Sequence, residues 1–181
     1  MELFLKIFVG NIVLLFVLIS VHECGHWVFG RLAGLPRRRM RIRLLTFPQQ
    51  VQLRDQQNGD AWVSVSDFDR YWSILAQSVP SKRGKFMYVV GGFVFETVFL
   101  AALCGVLVLQ HQRLFALVAV GVSLLMYAIY VLAMDLPQSR ARGKPWGDTT
   151  ILVHLARGPG LTVAAFMVLS RLLLLLFAWK G

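Results

Sequence analysis

The chain has 181 residues, of which apolar types make up 57% and charged types only 15%, whereas charged residues are roughly a quarter of an average soluble domain. This composition excludes a disordered chain and disfavours a soluble globule, and the length allows one domain or one compact membrane bundle. The net charge is +10, but no platform of aromatic and basic residues lies outside the apolar segments, so we do not expect nucleic acid as a partner.

Four apolar stretches are long enough to cross the hydrocarbon core of a bilayer, which takes about 20 helical residues. They cover residues 3–34, 86–109, 114–134 and 161–179. Lys6 precedes an apolar run, as in a signal peptide, but no small-residue cleavage site follows it, so we expect a retained helix. The sequence therefore predicts an all-α polytopic membrane protein, embedded in the lipid bilayer as a single domain of residues 1–181.

The basic residues are distributed unevenly among the segments that join the spans. Residues 31–85 carry 11 of the 19 Lys and Arg, residues 137–160 carry four, and the opposite side of the membrane carries three. Because positively charged loops stay in the cytoplasm, we expect both long loops there and both termini outside. This asymmetry suits a multi-pass protein of a bacterial inner membrane, and it leaves open whether copies of the chain assemble into a homo-oligomer.

The polar insert, residues 36–85, has the pattern of a small β structure. Apolar residues alternate with polar ones at four positions: Val51, Leu53, Val63 and Val65. Asn58-Gly59 lies between the two pairs and is typical of a hairpin turn. We therefore predict a cytoplasmic, membrane-associated β-hairpin between the first two spans. A cluster of arginines before it would lie at the lipid headgroups: Arg37, Arg38, Arg39, Arg41 and Arg43.

The first span contains His22-Glu23-Cys24-Gly25-His26, an HExxH pattern. Residues four apart lie on one face of a helix, so both imidazoles can bind one metal ion. Glu23 lies about 100° round the helix from His22, within reach of a water activated by that ion. Neutral nitrogen ligands keep zinc a strong Lewis acid, and a nearby carboxylate can take the proton of the water. The competing explanation is a polar cluster at the membrane interface.

A catalytic zinc site takes three protein ligands and leaves a fourth position for water. Four residues are candidates for the third ligand: Asp148, Asp135, Glu96 and His154. Asp135 closes an uncharged run, where a capping or interface role is ordinary, and Asp148 can equally be the N-cap of a short helix. We expect Asp148 as the third ligand, with Asp135 as the alternative and His154 as an amphipathic helix residue.

The HExxH pentapeptide and the residues that follow it, 27–34, resemble the first core helix of the site-2 protease family of intramembrane zinc metalloproteases. The glycine before the second histidine is typical of that family. Its members are also similar to this chain in having a polar membrane-associated β segment between their first two core helices. The resemblance covers residues 10–156.

Two further segments are similar to motifs of that family. Residues 92–96 stand where the family has a Gly-x-x-x-Asn motif on the next core helix, with Glu96 in place of the asparagine. Residues 135–137 resemble the proline-containing interruption of the third core helix, and Asp148 resembles the aspartate ligand that follows it. The resemblance thus implies a zinc ion bound by two histidines and Asp148.

Glu96 lies about ten residues, roughly 15 Å, into the second span. A carboxylate at this depth is costly unless it is protonated, paired or metal-bound. In the family, the asparagine is thought to position the substrate peptide or to stabilise the oxyanion. We expect Glu96 to face the metal pocket in such a substrate-binding or oxyanion role, either as a neutral acid or paired with a cation such as Arg171. An interhelical contact away from the metal is the other explanation.

These observations lead to two main hypotheses. The resemblance implies an intramembrane zinc metalloendopeptidase that cleaves a peptide bond in or near a transmembrane segment of a partner protein, with Glu23 as the general base. The alternative is a catalytically inactive relative that acts as a membrane scaffold or adaptor, which the change at Glu96 and the altered sequence after Asp148 suggest. A transporter is less favoured, because four spans without an inverted repeat do not match that class.

Overall fold

The structure, a computed structural model, describes residues 1–46 and 49–180. Within these residues, four helices are long and apolar enough to cross a membrane: Phe4–Leu32, Lys82–Leu109, Arg113–Arg142 and Arg157–Lys180. They coincide with the four predicted spans, so the predicted fold class is confirmed and the chain is a multi-pass membrane protein. The third helix continues well past the predicted end at residue 134.

The N-terminal half contains α1 (Glu2–Leu32), a 3-10 turn (Arg37–Arg39), β1 (Met40–Arg43), β2 (Gln50–Asp55), β3 (Ala61–Val63), α2 (Phe68–Ser78) and α3 (Lys82–Leu109). The C-terminal half contains α4 (Arg113–Ile129), a π-helical segment (Tyr130–Asp135), α5 (Leu136–Arg142), α6 (Asp148–Leu155) and α7 (Arg157–Lys180). Helix α3 begins earlier than the hydropathy predicted because the Ser81 hydroxyl caps it, accepting a hydrogen bond from the backbone N of Gly84 at 3.0 Å.

The three strands form an antiparallel sheet in the order β1-β2-β3. The predicted hairpin is confirmed as β2 and β3, and Gly59 in its turn has a φ of +71°, which glycine adopts without strain. Strand β1 pairs with residues 50–53 of β2, whereas β3 pairs only with residues 53–55. Within the described part of the chain, residues 50–52 therefore have no strand on the side of β3.

Buried apolar side chains form two clusters. The first joins the insert to the neighbouring helices and includes Leu35, Leu53, Leu75, Val89 and Leu152. The second lies within the helix bundle and consists of Leu18, Leu100, Cys104, Ala116, Val120 and Ala178. Large apolar side chains remain exposed along the first half of α1, among them Phe4, Phe8 and Phe16. Such a surface suits contact with lipid rather than water.

Helices α1 and α3 approach each other closely at three glycines. A Cβ atom added to Gly25 would overlap the carbonyl oxygen of Gly91, and one added to Gly91 would overlap the side chain of Phe29. A Cβ atom on Gly92 would lie 2.5 Å from Nε2 of His22. Small residues allow this approach, and it brings α3 directly against the histidines of α1.

We expect Gly25→Ala to lower the stability of the protein, because the backbone of α3 must move to admit the methyl group. Overpacking of this kind costs about 1–3 kcal/mol. Gly10→Ala on the same helix is the matched control, since nothing lies within 4 Å of a Cβ atom there and alanine favours a helix. Thermal unfolding in detergent compares them: the midpoint should fall only for Gly25→Ala, and equal midpoints would contradict the close contact.

Candidate metal centre

Three side chains from two distant parts of the chain converge beside α3. Helical spacing places His22 and His26 one turn apart on α1, and their Nε2 atoms lie 3.1 Å apart. From the start of α6, Oδ2 of Asp148 lies 3.0 Å from Nε2 of His22 and 3.3 Å from Nε2 of His26. Among the described residues, these three form one group that could hold a metal ion, with all ligand atoms within 4.8 Å of one another.

The opposite nitrogen of each histidine faces a hydrogen-bond acceptor. Nδ1 of His22 lies 3.2 Å from Oε2 of Glu96, and Nδ1 of His26 lies 3.0 Å from the carbonyl oxygen of Tyr88. A carboxylate and a carbonyl can only accept, so we assign the proton of each neutral ring to Nδ1. Both Nε2 lone pairs are then directed at the common point, the arrangement in which imidazoles bind metals.

Asp148 is held at this point by the segment that precedes it. Its backbone N donates to the hydroxyl of Tyr130 at 2.8 Å, and Gly147 leaves no room for a Cβ atom, which would lie 2.5 Å from Cγ of Asp135. Burial raises the pKa of the Asp148 carboxyl, but positive charge on the two imidazoles holds that pKa below its ordinary value. A divalent cation at the same point would supply positive charge in place of protonated imidazoles, and it binds the carboxylate in its ionised form.

Asp135, the alternative ligand, has a different environment. Its side chain is fully buried at the end of the π-helical segment. It accepts hydrogen bonds from the backbone N of Gly147 and of Thr150, both at 3.0 Å, and from the hydroxyls of Ser139 and Thr150. The carboxylate thus caps the N-terminus of α6 from another part of the chain. Asp135 supports Asp148 and lies outside the ligand group. The exposed His154 also lies outside that group.

Glu23 lies beside the ligands without being one of them. Its Oε2 accepts a hydrogen bond from the backbone N of Val51 in β2 at 2.7 Å. A second contact, from the Ser20 hydroxyl to Oε1 of Gln49 at 3.0 Å, holds the start of the same strand against α1. The insert therefore reaches the candidate metal centre directly, and the edge of β2 that carries no strand is the edge next to Glu23.

Glu96 occupies the pocket-facing position that the sequence suggested, in contact with His22. Its other oxygen, Oε1, accepts from an η nitrogen of Arg171 in α7 at 2.8 Å. The ion-paired form is thus the one that the structure contains. A contact between Glu96 and a substrate or an oxyanion stays a prediction.

The donor set matches the requirements of a catalytic zinc ion. Two imidazoles and one carboxylate are a ligand set found in zinc hydrolases, with the fourth position left for water. Ligand atoms about 2.0–2.2 Å from a tetrahedral zinc are separated by about 3.3–3.6 Å from one another. The three separations here are 3.0, 3.1 and 3.3 Å, so small side-chain shifts would admit the ion.

Two contributions to this site carry no recognisable sequence signal, the hydroxyl of Tyr130 and the backbone N–H of Val51, and the groups that Asp135 caps could not be predicted either. Tyr130 lies in an apolar run and carries no signal beyond its polar tip. A backbone N–H has no signature at all, since it depends on where the strand lies. The sequence allows a capping role for Asp135, but its partners at residues 147 and 150 become neighbours only through the turn after α5.

No family model matches this chain, and neither a curated protein nor a solved structure does.

Proposed function

We propose that the chain is an intramembrane zinc metalloendopeptidase of the site-2 protease type, which cleaves a peptide bond in or near a transmembrane segment of a partner protein. The observation that carries the proposal is the convergence of His22, His26 and Asp148 beside the membrane helix α1, with Glu23 of the same helix close to all three. Charged and ionisable groups in such helices are costly and usually functional. Two histidines and two acidic residues brought together across the fold have no simple packing role.

The residues divide the chemistry as follows. His22, His26 and Asp148 would hold Zn²⁺, which supplies Lewis acidity to polarise the scissile carbonyl and to acidify a water molecule. Glu23 takes the proton of the attacking water on a carboxylate oxygen and delivers it to the nitrogen of the leaving amine. The hydrogen bond from Val51 fixes the orientation of the Glu23 carboxylate before the substrate arrives.

The insert offers a means of holding the substrate. A transmembrane helix uses its carbonyls in its own hydrogen bonds, so the substrate must unwind locally before it is cleaved. An unwound segment can pair with the free edge of residues 50–52, in line with β3, as peptides add to exposed strands elsewhere. A substrate carbonyl that accepts from the N–H of Val51 would release Glu23 for proton transfer.

The distribution of charge supports a location for the enzyme. The long basic loops would face the cytoplasm, which places the candidate metal centre near the cytoplasmic end of α1. We propose a bacterial inner membrane, where the substrate would be another membrane-spanning protein.

Metal content and fragment analysis test this function. Purified protein should contain about one zinc per chain, and a strong chelator should remove it, as for metal-dependent sites in general. Membranes of the expressing cells should contain protein fragments that end within or beside transmembrane segments. In vitro, the zinc-loaded enzyme should produce such fragments and the chelated enzyme should not. A protein that binds zinc and yields no such fragments would instead favour the scaffold hypothesis, and one without metal would refute the protease.

A further inference from the structure

Glu96 joins the candidate metal centre to a helix that contributes no ligand to it. One carboxylate oxygen lies 3.2 Å from Nδ1 of His22 in α1, and the other accepts from Arg171 in α7 at 2.8 Å. The Ser123 hydroxyl of α4 lies 3.4 Å from the same Oε1. Four helices thus meet at one side chain of α3.

Arg171 is completely buried, with 0% of its side chain exposed. Its Nη1 atom donates to the hydroxyls of Thr97 and Ser170 at 2.9 and 3.1 Å. A guanidinium cannot lose its proton in a protein, and a buried charge needs an opposite charge. Glu96 supplies it, so Glu96 is an ionised carboxylate that accepts hydrogen bonds and cannot donate one.

We propose that Glu96 is a positioning residue for the metal ligand His22, and that Arg171 fixes Glu96 in this role. The inference rests on the proposed zinc site. By accepting from Nδ1–H, Glu96 holds the ring of His22 in the tautomer whose Nε2 lone pair faces Asp148 and His26. Such outer partners of metal-bound histidines orient the ring and raise its basicity.

The geometry of the two oxygens distinguishes this role from a purely structural ion pair. Pairing α3 with α7 needs only Oε1. Oε2 faces Nδ1 of His22, the nitrogen that carries the proton when Nε2 binds a metal ion. His26 has the equivalent support from the carbonyl of Tyr88. Both histidines are therefore oriented by an acceptor at Nδ1. For His26 it is a backbone carbonyl, and for His22 it is a carboxylate that the buried guanidinium of Arg171 keeps charged.

Glu96→Gln is the most direct test, because glutamine keeps the size of the side chain but has a single acceptor oxygen. If that oxygen accepts from Arg171, the amide NH₂ faces Nδ1 of His22 and favours the tautomer with its proton on Nε2, which cannot bind metal. If the oxygen instead accepts from Nδ1 of His22, the NH₂ faces the guanidinium of Arg171, which then loses its acceptor and no longer fixes the side chain at position 96. We expect the affinity for Zn²⁺, measured by chelator competition on purified protein, to fall about 10–100-fold, the usual effect of losing such a partner.

Two further variants separate positioning from folding. Thr97→Ala removes a contact of Arg171 but none of His22, so zinc affinity should change less than about twofold. The double variant E96L/R171M replaces the ion pair by apolar side chains, which often preserves stability. It should unfold near the wild-type temperature yet bind zinc as weakly as Glu96→Gln, and its Co²⁺ derivative should show an altered d–d absorption spectrum.

These measurements distinguish failure of the positioning role of Glu96 from failure of the proposed metal site. Wild-type protein that binds neither Zn²⁺ nor Co²⁺ refutes the metal site and this inference with it. Wild-type protein that binds zinc, together with a folded double variant that binds it equally well and gives the same Co²⁺ spectrum, refutes only the positioning role. Should Glu96→Gln fail to fold, the double variant decides the question alone.

Discussion

Glu23→Gln should reduce peptide-bond cleavage about 10²–10⁴-fold, the usual contribution of a general base, while zinc stays bound. Glutamine cannot take a proton from water, but its carbonyl oxygen can still accept the hydrogen bond from the backbone N of Val51. The substitution therefore removes the proton acceptor and little else. Cleavage is measured as the rate at which transmembrane fragments appear, and zinc by atomic emission on the same preparation.

Cys24→Ser is the matched control for this experiment. Cys24 is the next residue of α1, is half-buried and free, and contributes no ligand atom to the candidate metal centre. Its substitution should leave both the cleavage rate and the zinc content near the wild-type values. If Glu23→Gln cleaved as fast as Cys24→Ser, another group would have to be the base, and the mechanism proposed here would be wrong.

Asp148→Ala should have the second large effect, a loss of zinc affinity of more than about 100-fold, because it removes a ligand rather than an outer partner. Asp135→Asn should lower the affinity for zinc much less than Asp148→Ala does, and it should lower the stability of the protein more. It leaves both imidazoles and Asp148 in place but weakens the cap that receives the backbone N–H groups of Gly147 and Thr150, and poorly satisfied buried donors cost about 1–3 kcal/mol.

Measuring zinc stoichiometry and unfolding temperature for both variants separates the two acidic residues. The expected pattern is a folded Asp148→Ala protein without zinc and a less stable Asp135→Asn protein that retains it. The reverse pattern, with zinc lost only from Asp135→Asn, would make Asp135 the ligand and would contradict the arrangement of α6 described above.

The parts of the fold that were predictable depend on local pattern. Hydropathy over about 20 residues identifies a span without knowledge of its neighbours, and Asn58-Gly59 marks the hairpin turn by its own backbone preference. Strand β1 was missed because the alternation in Met40–Arg43 covers only four residues, and its two arginines were assigned to the lipid headgroups. Helix α2 was missed although its buried apolar residues Phe68, Tyr71, Ile74 and Leu75 recur at helical spacing, so its pattern was present in the sequence.

The same distinction applies to the candidate site: features within one helix were predictable, and contacts between distant segments were not. The spacing of His22 and His26 is readable within one helical turn, and Asp148 could be nominated because a zinc site needs a third ligand. The pairing of Glu96 with Arg171 was only one of two alternatives, since the residues lie 75 positions apart in sequence and their meeting depends on how α3 packs on α7. Contacts to backbone atoms, such as that between Glu23 and Val51, cannot be inferred from residue types.

The π-helical segment Tyr130–Asp135 has a consequence for how the sequence can change over time. A π turn accommodates one residue more than an α turn, and each helical residue advances the direction of a side chain by about 100°. Deleting one residue here would restore a regular helix and rotate Asp135 away from the start of α6. The residue count of this stretch is therefore constrained by the geometry of the site, independently of which apolar side chains fill it.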